Sequence, residues 1–167
     1  MDRLNALPLE NYQLPQPLRN KLLSPSLVIF RDQVRSNIQR MLTYVGNDPA
    51  RWRPHLKTAK IPQIFEDYIR AGIRHFKCAT PREAKVLFET LANLDVAEAD
   101  LLVAYPHRGP ALEQLAQLAL DFPQYTTSVV CEDAAVAAAF PLALGIFIDI
   151  NPGMNRTGIP LDRWNEV

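Results

Sequence analysis

At 167 residues the chain is ample for one hydrophobic core but short of the roughly 250 that a closed eight-stranded α/β barrel takes. Basic and acidic residues cancel at 18 each, which removes the footprint of a nucleic-acid or anionic-membrane binder and leaves a small molecule as the expected partner. No window reaches the ~18 apolar residues of a membrane span, the N-terminus lacks an apolar leader core, and Cys78 and Cys131 have neither disulfide-framework nor metal spacing, so the reading is a cytoplasmic protein with both thiols buried.

Residues 1–26 carry prolines at positions 8, 15, 17 and 25 and no sustained period, which predicts an extended N-terminal arm with at most one helical turn. The remaining residues, 27–167, alternate strand and helix patterns. Residues 26–30 are a short apolar strand run, and Asp32 is placed to cap a helix with Val34, Ile38, Met41, Leu42 and Val45 on one side. Residues 53–60 (RPHLKTAK) follow. Strand alternation aims Arg53, His55 and Lys57 one way and sends Trp52, Pro54 and Leu56 toward a covering helix. A lysine ending a strand that runs into a helix is how a (β/α) barrel presents reactive groups at its mouth, although a solvated basic edge accounts for the spacing equally.

Helical spacing resumes with Ile61, Ile64, Phe65, Tyr68 and Ile69. Residues 75–79 read as a strand, and Thr80, Pro81 and Glu83 supply cap, first-turn proline and capping-box acid for the clearest helix start in the chain. A strand over 100–105 precedes a helix with Leu112, Leu115, Leu118, Ala119 and Phe122. A strand over 126–130 precedes an alanine-rich helix over 133–140, and a strand over 145–150 leads into the loop 151–158. Such alternation argues for βαβ units and a parallel sheet. No glycine-rich phosphate-binding signature follows any strand, which disfavours the open nucleotide-binding sheets and favours a partial (β/α)8 TIM-type barrel of about five β/α units, with an open doubly wound sheet the alternative.

Four strings, RPHLKTAK, FKCATPREA, DLLVAYP and IDINPGMNRTGI, in that order over about residues 24–160, resemble the N-terminal barrel half of fold-type III pyridoxal-phosphate (PLP) enzymes. The likeness is to the D-threonine aldolase and D-serine dehydratase branch, with the alanine racemase N-terminal domain a more distant relative. It implies that residues 27–167 form a PLP-binding barrel portion in which Lys57 forms the internal aldimine and Arg156 meets the phenolic side of the cofactor. His55 and Tyr105 would line the same pocket. The implied protein is a PLP-dependent lyase acting on a D-amino acid or 3-hydroxy amino acid, with an amino-acid racemase or a non-catalytic PLP carrier as alternatives. The resemblance further implies a homodimer in the full-length protein and a divalent metal bound by a C-terminal domain outside these residues; no metal ligand is assigned here. Ala59 stands where many members carry a second histidine, and Pro152 replaces a threonine or small residue of the racemases, so aldol cleavage, dehydration and racemisation stay open. Five units fall short of eight, and the chain by itself is expected not to catalyse turnover.

Residue chemistry points the same way. A lysine that reacts with an aldehyde must be neutral, and cations on its own face favour that state, a role open to Arg53 and His55. Lys60 is read as a solvated surface lysine, His55 as an interior histidine that orients its neighbours, and His75 and His107 as structural or exposed. Arg156 is a planar, permanently charged donor on a loop with Gly153 and Gly158, suited to holding an oxyanion. Asp149 is a candidate ion-pair partner for one of these cations, and Tyr105 a candidate wall of the pocket.

Overall fold

The computed structural model describes residues 12–166; the first part of the expected arm lies outside them. A single-turn helix, α1 (Gln16–Arg19), is followed by α2 (Arg31–Tyr44) and α3 (Pro62–Arg70). Then come β1 (His75–Cys78), α4 (Pro81–Asn93), β2 (Ala99–Val103), α5 (Pro110–Asp121), β3 (Tyr125–Cys131), α6 (Ala134–Ala138) and β4 (Gly145–Ile148). Two short strands, β5 (Ile150–Asn151) and β6 (Ile159–Pro160), pair with each other beyond β4, ahead of a 3-10 turn at Leu161–Glu166.

The sheet runs β1-β2-β3-β4, every pair parallel. Because the order follows the chain without reversal, the strands wind in one direction, as in a barrel and unlike a doubly wound sheet with its switch point. One face is covered by helices over β1 to β3. Phe76, Cys78, Leu101, Val103 and Val129 meet Leu87, Phe88, Leu91 and Leu115, all fully buried, and Phe88 packs against Phe122 and Tyr125 at ring separations of 5.5 and 5.2 Å. Both cysteines are free and buried.

The other face is concave. The segment 52–55 adds to the free edge of β1 through a parallel bridge between His55 and Lys77 and a 3.0 Å bond from the Lys77 N–H to Pro54 O. From that edge, Arg53 places its guanidinium carbon 5.9 Å from the ring centre of Phe147 on β4. Four strand spacings, about 19 Å, would separate these edges in a flat sheet, beyond the reach of an arginine. The sheet therefore curls, as a partial TIM-type barrel does, with its second face turned inward.

Several expectations are corrected. Residues 26–30 form no strand, because no strand edge lies against them, and Leu27 is 86% exposed. Phe30, not Asp32, stands at the N-cap of α2; Asp32 sits in the first turn and pairs with Arg35 at 3.7 Å. The lysine-bearing segment is extended only to His55, after which Leu56–Thr58 turn as a 3-10 helix. The alanine-rich helix shrinks to the five residues of α6, capped by Asp133, and having little apolar surface it leaves Ile146 and Ile148 of β4 exposed. The predicted strand over 145–150 breaks at Asp149, from which the chain leaves the sheet as β5.

Candidate active site

All strands are parallel, so the segments that follow 52–55, β1, β2, β3 and β4 gather at one carboxyl rim. Lys57 lies there, in the 3-10 turn and exposed. His55 makes the turn: its Nδ1 accepts the Lys57 backbone N–H at 3.3 Å, and its carbonyl accepts from Thr58 Oγ1 at 3.4 Å. An accepting Nδ1 requires a ring without a proton there. Burial, then the positive charges of Lys57 and Lys77, lower the His55 pKa below its ordinary value, so the neutral ring with its proton on Nε2 is the favoured form.

The neighbouring cations differ in their engagement. Arg53 is bonded to the Asp100 carboxylate and donates to Phe76 O at 3.1 Å, so its charge is paired within the concave face. Lys60, expected to be merely solvated, pairs at 3.6 Å with the buried Glu83, whose other oxygen takes the Ala79 N–H at 2.8 Å. Among the described residues the Lys57 amine has no ion-pair or hydrogen-bond partner. It is an accessible primary amine beside a neutral imidazole.

Arg156 lies at the far edge of the rim, exposed, in the loop between β5 and β6. The Asn151 Oδ1 shapes this loop by accepting the N–H groups of Gly153 and Asn155, each at 3.0 Å. Gly158 closes it: φ is +93°, a Cβ there would lie 2.7 Å from the Ile150 backbone, and its N–H donates to Glu132 at 2.7 Å. Lys57 and Arg156 thus share the rim but stand at opposite edges of the sheet, without contact. Tyr105 lies between them after β2, 56% exposed and 5.3 Å from the His107 ring, which bonds Ala79 O at 2.9 Å. His75 instead holds the turn before Arg53, through Ala50 O at 3.1 Å. Asp149 makes no ion pair among the described residues; Asp100 is the acid that does. Sequence reasoning passed over both Asp100 and Lys77, although alternation with the buried Phe76 and Cys78 already puts Lys77 on the inward face.

This rim belongs to a defined class. Residues 29–167 match the family described as alanine racemase, N-terminal domain, and the chain belongs to that family, the N-terminal portion of the fold-type III PLP enzymes. It is 30% identical over 143 residues to a D-threo-3-hydroxyaspartate dehydratase of Delftia sp. (strain HT23), covering 83% of this chain and 36% of that protein. It also resembles the crystal structure of D-threonine aldolase from Filomicrobium marinum, with a TM-score of 0.64 and 27% identity over 82% of this chain and 37% of that one. The chain therefore spans little more than a third of either relative. The donor set suits PLP in two respects: among the described residues the Lys57 amine is unpaired, as an amine that meets an aldehyde must be, and Arg156 is an unpaired planar cation of the kind that holds an oxyanion. Among the described residues no group of three or more His, Cys, Asp or Glu is placed to hold a metal ion, and no helix is long and apolar enough to cross a membrane.

Proposed function

We propose that this chain supplies the cofactor lysine, Lys57, and a cofactor contact, Arg156, to a PLP-dependent lyase acting on a D-amino acid or 3-hydroxy amino acid. The observation that carries the reading is the unpaired Lys57 amine on the carboxyl rim, held in its turn by a neutral His55. The two relatives, a dehydratase and an aldolase, favour a lyase over a racemase. PLP, when bound, supplies an electron sink for a bond broken at the amino-acid Cα. The chain's own residues do the rest. Lys57 is the amine that attaches the cofactor and can afterwards take or return a proton at Nζ. His55 fixes the turn that aims it. Arg156 holds the phenolate edge, and Tyr105 walls the rim between them.

Incubation with PLP, borohydride reduction and peptide mapping test the assignment. The pyridoxyl group is expected on Lys57. Labelling of Lys60 or Lys77 in its place would overturn it.

A further inference from the structure

Lys77 is the cation that the reading above leaves without a task. It lies in the middle of β1 on the concave face, since its neighbours Phe76 and Cys78 are fully buried against the helices. The register sets His55 on one side of it and Leu102 on the other, with Ser128 of β3 opposite Leu102. Gly145 completes this layer, and a Cβ there would fall 2.5 Å from Ser128 Oγ, so the row is closely fitted at that end. Two acids close to this segment are engaged elsewhere: Asp100 with Arg53, and Glu83 with Lys60 and the Ala79 N–H. Lys77 itself has no ion-pair partner among the described residues, while His55, kept neutral, brings no second charge between it and Lys57. A cation on the concave face with no counter-ion among the described residues is open to a ligand anion through a charge-assisted hydrogen bond.

We infer that Lys77 binds the distal carboxylate of the substrate, which makes an acidic 3-hydroxy amino acid the preferred substrate class over a neutral one. This rests on the reading that Lys57 carries PLP, since the amino end of a substrate must then lie at Lys57, two residues beyond the bridge partner of Lys77. The cofactor phosphate is the poorer occupant. Phosphates are anchored by loop amides and helix N-termini, whereas the Lys77 backbone N–H is already given to Pro54 O, and Lys77 offers only a point charge in mid-strand.

The cofactor-free chain is titrated by calorimetry with succinate, butyrate and inorganic phosphate. Succinate is expected to bind about tenfold more tightly than butyrate, the worth of one charge-assisted hydrogen bond. Lys77→Met should abolish the difference and Lys77→Arg should retain it, with far-UV circular dichroism confirming that each variant is folded. Amine acetylation mapped by mass spectrometry needs no variant: succinate, and not butyrate, should slow modification of Lys77 in the unaltered chain. Equal binding of succinate and butyrate, no protection of Lys77, or phosphate binding more tightly than succinate would each sink the inference. A pyridoxyl label away from Lys57 would sink the cofactor assignment and with it the substrate role given to Lys77, whereas equal binding of succinate and butyrate, measured without PLP, would sink the Lys77 inference alone.

Discussion

His55 couples the backbone of the Lys57 turn to pH. Its Nδ1 can accept the Lys57 N–H only while unprotonated, and burial with two nearby lysine charges holds its pKa below the ordinary 6.5. The unfolded chain therefore takes up a proton first as pH falls, and the folded state loses stability below pH 6.5, through the window down to the folded-state pKa. His55→Asn preserves an acceptor without the titration. Urea midpoints measured across that window should fall for the parent chain and stay nearly flat for the variant; equal slopes would show that the imidazole is not the cause. At the other edge of the rim, Arg156→Lys keeps a charge but loses the planar donor pair, and the pH at which the bound cofactor changes absorbance should move. An unchanged absorbance profile would remove Arg156 from the phenolate.

Among the elements, α4 has the best-specified start. Thr80 Oγ1 accepts the Glu83 N–H at 3.2 Å, while Glu83 reaches back to Ala79 and also holds Lys60. Thr80→Ala should cost about 1 kcal/mol in chemical denaturation. Glu83→Ala should cost more, since it strands a backbone N–H and frees Lys60, whose amine would then acetylate faster. Caps of this kind are legible in sequence because donor and acceptor lie within a few residues. The apolar stripe of α4 and the strands β1 to β3 were legible too, through burial on one face. What failed depended on distant partners. Residues 26–30 have strand composition but no edge to join, and β4 is a strand without the helical cover its apolar residues suggested. The ion pair of Arg53 spans 47 positions, so nothing local marks Asp100 rather than Asp149 as its acid. The turn at Lys57 was hidden for another reason: a histidine side chain, not a glycine or proline, ends the extended segment.

In the whole molecule, the two groups proposed for the cofactor are held at opposite edges of a sheet that curls but has one exposed end. β4 is exposed on all four of its residues, and that edge is held by its ladder with β3, by the bonds of Asp149 and Gly158 to Cys131 and Glu132, and by the Arg53 contact with Phe147. Opening of the curl by even a few ångströms would widen the gap that a cofactor must span between Lys57 and Arg156. Orientation of reacting groups is worth about 7–11 kcal/mol of barrier when fully maintained, and a ring tethered at one amine with its far contact free to swing forfeits much of that. A phosphate group ordinarily adds anchoring through helix N-termini and loop amides, and neither the rim contacts described here nor mid-strand Lys77 supply such a cradle. The chain taken alone is therefore expected to take up PLP weakly and reversibly, with no turnover of D-threonine, D-serine or alanine above that of free PLP, with or without a divalent metal. Dialysis should restore the spectrum of the unloaded chain. Sustained turnover of any of the three by the purified chain would show that these residues, alone or assembled as copies, hold the cofactor rigidly enough for catalysis.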